Sequence, residues 1–241
     1  MYMTYKLDWR SIFPKFSENN FKNLAFSLQS SYRKNPYHNH CHAADVVQNL
    51  WFILTKQDVI EKCQLTPLEI FCTLISGAAH DMDHPGTNNM FEIKKRSKLA
   101  LLYNDVSVLE NHHAASFFFL VENTKHDCNL FKHMGEEDRA SCRKQILENI
   151  LCTDMSKHGQ IQGEIKAIGE AEDKKLAGDN KITMIRALVH AADICNSARP
   201  FPIAKLWAES LFVEFFGQGD REKELGVEVS YLCDRTKFNF A

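Results

Sequence analysis

Apolar residues return at spacings of three and four in one segment of this chain after another, and no stretch of useful length alternates apolar with polar. That pattern constrains the fold most, because a stripe with this period is hidden from water only when the chain is helical. Ala43, Val46, Val47, Leu50, Ile53 and Leu54 form one such stripe. Thr66, Pro67 and Glu69 supply the N-cap, the first-turn proline and the acid of a capping box, and Leu68, Phe71, Cys72 and Ile75 continue the stripe behind it, up to His80-Asp81. Ser107 and Glu110 predict a second box, opening a helix through the Phe117 to Leu120 region. Ile146, Leu147, Ile150 and Leu151 mark another helix. A further one carries Ile182, Ile185, Leu188, Val189 and Ala192 and ends at Asp193, and Ile203, Leu206, Trp207 and Leu211 mark a last one. The predicted fold class is all-α, a compact multi-helix bundle.

Composition agrees with a folded core. Of 241 residues, 44% are hydrophobic and 25% charged, and only 10 are glycine and 6 proline. No repeat, low-complexity tract or linker divides the chain, so residues 1–241 read as one domain, with 1–19 as a lead-in and 169–180 as a charged connection between helices. The longest apolar run, Ala114 to Val121, is interrupted by Ser116 and is far short of the roughly 18 residues of a membrane span. The opening MYMTYKLDWR has no signal or transit character, so a cytoplasmic location is expected. A net charge of −2 gives no electrostatic footprint for nucleic acid or acidic membrane. The eight cysteines are scattered without a CxxC pair and read as reduced core thiols.

Three segments carry chemistry. In NPYHNHCHAADVV, a helix starting at or near Pro36 would set His38 and His42 four residues apart on one face, where two imidazoles can converge on a small target. HDMDHPGTNN packs histidines and aspartates together directly behind an apolar helix, and the adjacent His80 and Asp81 suit a two-metal centre. In RALVHAADICN, Asp193 ends an apolar stripe and needs either a hydrogen-bonded partner, for which His190 one turn earlier is a candidate, or a metal. Asp154 poses the same question at the end of its own helix. Glu110 already has a structural explanation in its capping box.

In this order, YHN with a second histidine four residues on, HDMDHPGTNN, LLYNDVSVLENHH, CTDMSKH, HAADICN and EFFGQGDREKELG closely resemble the catalytic domain of class I cyclic nucleotide phosphodiesterases, HD-type metal-dependent phosphohydrolases. The resemblance spans roughly residues 20 to 234. It implies hydrolysis of cAMP or cGMP to the 5′ monophosphate, with a hydroxide bridging two divalent cations as the nucleophile. A first ion, usually zinc, is then held by His42, His80, Asp81 and Asp193. A second, usually magnesium or manganese, shares Asp81 and otherwise binds waters steadied by His84, Glu110, Thr153 and Asp154. His38 is implied as the general acid for the ribose 3′ oxygen, with Glu110 hydrogen-bonded to it and favouring its protonated form. Tyr37, Met155 and Asn196 match positions near the nucleotide.

The sequence departs from that family in three respects. Cys195-Asn196-Ser197 and Ser230-Tyr231 stand where the family favours Ser-Asn-Pro and Ser-Pro. The purine-binding glutamine and aromatic clamp, in a Gln-x-Gly-Phe context, are also absent from the 241 residues. Members of the family continue for several more helices, so the resemblance implies weak nucleotide affinity and exposed apolar surface here, with either self-association into a homo-oligomer or poor stability as the result. Two other readings compete: an HD phosphohydrolase of another phosphoester, and an inactive homologue that binds metal or a partner.

Overall fold

The computed structural model of the protein describes residues 12–13, 17–171 and 176–237. Among these residues there are eleven α-helices and no strands. In chain order they are α1 (Glu18–Ser31), α2 (His40–Lys56), α3 (Val59–Lys62), α4 (Pro67–Ala79), α5 (Asn89–Lys94), α6 (Lys98–Leu102), α7 (Val108–Glu122), α8 (Glu136–Leu151), α9 (His158–Glu170), α10 (Asp179–Ile194) and α11 (Phe201–Glu224). None is long and apolar enough to cross a membrane.

Helix α4 is the axis of the bundle, packed against α2 and α8 and also touching α7 and α10. Its sequence allows this because nearly every position from Ile70 to Ala79 is buried and its polar groups are satisfied at short range. Thr73 and Ser76 donate to the carbonyls of Glu69 and Cys72, and Asn149 of α8 donates to the Ser76 hydroxyl. One side of α4, with Phe71, Cys72 and Ile75, joins Phe117, Ile146 and Ile150 in one core. The other, with Ile70 and Leu74, joins Val46, Leu50, Ile185 and Val189 in a second. Gly77 lets α2 approach closely, because a Cβ there would lie 2.6 Å from Leu50 Cδ1 and 3.3 Å from Val46 Cγ1. Three helix ends consequently meet: the start of α2, the end of α4 and the end of α10.

The all-helical expectation holds, and the box at Thr66 is fully formed. All eight cysteines are free, six of them buried. Two local expectations fail. Ser107 does not cap α7; it sits in the left-handed region (φ 43°) and donates its hydroxyl to Asp154, while Asn89 accepts from the Leu109 amide instead. The helix after Pro36 begins only at His40, because Asn39 caps it and the amides of Tyr37 and His38 are taken by Glu214. His38 therefore stands on the turn before α2 rather than on its face. The expected last helix is present as α11, with Ile203 and Leu206 exposed because its start packs chiefly on the turn Cys195–Ala198. Part of the 169–180 connection, residues 172–175, lies outside the described residues, as does most of the 1–19 lead-in.

The second half of α11 is held by polar groups, of which Gln218 and Glu222 are buried. Gln218 accepts from the Asn88 amide, Arg221 donates to the Gly86 carbonyl, and Glu222 accepts from the Ser230 amide. Gly219 is required here, because a Cβ would lie 1.9 Å from the carbonyl oxygen of Cys233. Gly219→Ala is expected to cost about 1–3 kcal/mol by overpacking against a backbone that has nowhere to retreat. Chemical denaturation checks this, and an unchanged midpoint would contradict the close packing.

Candidate active site

His42 lies in the first turn of α2, His80 caps the end of α4 with Asp81 beside it, and Asp193 lies in the last turn of α10. Their ligand atoms form a tight cluster. His42 Nε2 is 2.9 Å from Asp193 Oδ1, and His80 Nε2 is 3.2 Å from the same oxygen. His80 Nε2 is 3.0 Å from Asp81 Oδ2 and 3.3 Å from His42 Nε2, which is itself 3.5 Å from Asp81 Oδ2. Both histidines are fully buried.

This cluster is electrostatically incomplete by itself. The two carboxylates sit at the C-terminal, negative ends of α4 and α10, where an anion is disfavoured. His80 Nδ1 is 2.9 Å from the Gly77 carbonyl, to which it donates, so a neutral His80 would aim the Nε2 lone pair at two carboxylate oxygens. Burial opposes protonation of His80, yet Asp81 and Asp193 outweigh it and push its pKa well up. Burial likewise opposes ionisation of Asp81 and Asp193, and the neighbouring histidines, His80 foremost, hold both below the usual carboxylate range. The site therefore calls for a shared cation. Four donors about 2.0–2.2 Å from one centre would be about 3.3–3.6 Å apart in a tetrahedron, close to the separations seen here. Two imidazoles and two carboxylates fit a divalent ion.

In front of the cluster lies a cleft of about 660 Å³, lined by His38, Asp81, His84, Glu110, His113, Thr153, Asp154, Met155, Asp193 and Glu214 among others. His113 Nδ1 donates to the Met82 carbonyl, leaving its other nitrogen 3.8 Å from Asp81 Oδ1. His84 stacks on His38 with ring centroids 3.9 Å apart, and burial together with the charge of His38 drives its pKa well down. Thr153 donates to the Ile150 carbonyl. Asp154 accepts from Ser107 and from the Ser156 amide, so its carboxylate caps a turn.

The expected pairing of Glu110 with His38 is wrong. Glu110 is held by Asn89 of α5, whose amide nitrogen lies 2.9 and 3.2 Å from its two oxygens. The carboxylate on His38 is Glu214, which accepts from Nδ1 and, through its other oxygen, from the amides of Tyr37 and His38 at 3.1 Å each. Burial opposes protonation of His38, but Asp81 and Glu214 raise its pKa above the ordinary value. Glu214 was visible in the sequence as a lone acid in the apolar run LFVEFF, though nothing there named its partner. His190 does not serve Asp193; its Nε2 is 2.9 Å from His158 Nδ1. Met155 is exposed on the cleft, whereas Tyr37 and Asn196 bond to each other at 2.6 Å, with the Tyr37 ring packed on His42.

The class these features define is a helical protein with a buried His/Asp cation site beneath an open cleft. Comparison with known proteins narrows it. Residues 37–241 match the family model described as 3′5′-cyclic nucleotide phosphodiesterase. The chain is 42% identical over 225 residues to the Drosophila melanogaster 3′,5′-cyclic-AMP phosphodiesterase isoform F, covering 89% of this chain and 33% of that protein. It is 39% identical to the Rattus norvegicus 3′,5′-cyclic-AMP phosphodiesterase 4C, covering 87% of this chain and 40% of that one. Among solved structures, LmjPDEB1 in complex with IBMX superposes with a TM-score of 0.86 at 32% identity, over 98% of this chain and 71% of that one. The phosphodiesterase domain of a Salpingoeca rosetta rhodopsin phosphodiesterase gives 0.82 at 28% identity, over 93% and 68%. The chain belongs to the 3′,5′-cyclic nucleotide phosphodiesterase family, a family of hydrolases, and spans well under half the length of these two curated relatives.

The environment of Glu110 makes a pH prediction. Burial, with Asp154 adding to it, raises its pKa from 4.5 to about 7. The folded state then holds a proton that the unfolded state lacks between these values, so stability from this group is full at low pH and lost as pH rises through 7. In chelator-treated protein, Glu110→Gln should gain on the parent by on the order of 1–3 kcal/mol between about pH 5 and about pH 8. Urea denaturation across pH measures it, and parallel pH profiles for the two proteins would refute it.

Proposed function

We propose that this protein hydrolyses a 3′,5′-cyclic nucleotide, cAMP or cGMP, to the 5′ monophosphate. The observation that carries the reading is His38, held by Glu214 at the edge of the cleft and next to the His/Asp cluster. His42, His80, Asp81 and Asp193 would hold the first ion, for which the nitrogen and oxygen donor set suits zinc. Asp81 would also face a second ion, magnesium or manganese, among His84, Glu110, Thr153 and Asp154. Divalent ions bound there would lower the pKa of water and screen the phosphate oxygens.

The chain's own residues handle the leaving group. When water attacks phosphorus and the bond to O3′ breaks, the departing oxygen needs a proton. Glu214 fixes His38 by accepting from Nδ1, which leaves Nε2–H as the donor toward the cleft. The negative charges of Asp81 and Glu214 outweigh burial and raise the basicity of His38, which favours its protonated form. Met155 and Phe215 supply apolar wall for the base, and Asn196 steadies Tyr37 beside His42. The curated relatives bear cyclic-AMP names, which makes cAMP the first substrate to try.

His38→Ala is expected to lower kcat by about 10² to 10⁴ with metal content unchanged. Glu214→Gln should move the alkaline limb of the rate profile to lower pH, because His38 then gives up its proton earlier. Steady-state kinetics across pH with zinc and magnesium test both. Turnover of neither cyclic nucleotide by the parent, or full activity of His38→Ala, would end the proposal.

A further inference from the structure

Over the whole chain, acidic residues slightly outnumber basic ones, and that balance hides a local excess. Lys94, Lys95, Arg96 and Lys98 lie within five residues, across the junction of α5 and α6. Among the described residues none of them forms an ion pair. Lys94 donates to the Glu228 backbone carbonyl and Lys95 lies over the Phe91 ring, while Arg96 and Lys98 are exposed. The acid that precedes them, Glu92, is buried and accepts from Thr87, so its charge is turned away from this surface. The next acid along the chain is Asp105.

The same surface carries exposed aliphatic groups. Lys98, Leu101 and Leu102 share the outer face of α6, with Ala100 turned into the core. Leu101 and Leu102 are 69% and 64% exposed. Met90 and Val106, which flank this stretch in the chain, are exposed as well and line the cleft. Unpaired cations beside solvent-facing leucines match the interface of an anionic bilayer, where headgroups take the charges and the acyl boundary takes the apolar side chains. Nucleic acid fits less well, since Phe91 is buried and no exposed aromatic ring stands among these cations to stack on a base.

We propose that the Lys94 to Leu102 surface docks this protein on an anionic lipid membrane, with the cleft beside the contact. Co-sedimentation with phosphatidylcholine vesicles, with and without phosphatidylserine, tests it. The parent chain should bind only the serine-containing vesicles, more weakly as salt rises. Replacing Lys95, Arg96 and Lys98 together by alanine should lower partitioning by about 10²-fold, roughly fivefold for each charge removed, with the melting temperature unchanged. Leu101→Ser with Leu102→Ser should weaken binding while leaving its salt dependence in place. Equal binding to neutral vesicles, or an unaffected triple variant, would overturn the proposal. So would retention of the chain by single-stranded RNA or an acidic peptide with none by vesicles.

Discussion

Two buried imidazoles and two carboxylates, 2.9 to 3.5 Å apart over the measured pairs, cannot share that space without a positive charge among them. Much of the bundle serves to impose this arrangement. Helix α4 is buried almost all round and ends on His80, Gly77 lets α2 close in so that His42 meets it, and α10 delivers Asp193 with the negative end of its dipole. Packing in the two cores holds the helices, and the helices hold the charges where isolated side chains would not stay. A folded chain so arranged is strained electrostatically until a cation, proton or metal, is supplied.

A second buried carboxylate organises the front of the site. Glu214 accepts from the imidazole of His38 and from two successive amides, so one side chain orients the ring, raises its basicity and fixes the entry into α2. Farther along the same face of α11, Gln218, Arg221 and Glu222 clamp the loops at Gly86, Asn88 and Ser230. The run EFFGQGDRE is thus one polar edge of a helix, spaced to hold the cleft wall against the rest of the bundle.

Local physics made part of this readable in the sequence. The capping box at Thr66, the apolar stripes and the His80-Asp81 doublet depend on neighbours within a turn or two, and they formed as expected. The motif order pointed to the family and brought His42, His80, Asp81 and Asp193 together as candidates. What failed depends on distant partners. Glu110 and Ser107 matched a capping-box pattern, but Asn89 and Asp154 bind them instead. His190 stands three residues before Asp193, yet its partner is His158 on the adjacent helix α9, 32 residues away in the chain. Glu214 is 176 residues from His38, a separation at which no periodicity carries information.

The most direct measurement is a zinc titration of the chelator-stripped chain, followed by thermal melting and metal stoichiometry, beside Asp193→Ala. A charge cluster waiting for a cation predicts a melting temperature that rises with zinc in the parent, and tight binding of at least one ion per chain. It also predicts that stripped Asp193→Ala melts no lower than the stripped parent, having lost a buried anion, and gains little from zinc. A parent indifferent to zinc, or a variant stabilised by it equally, would contradict the cation site.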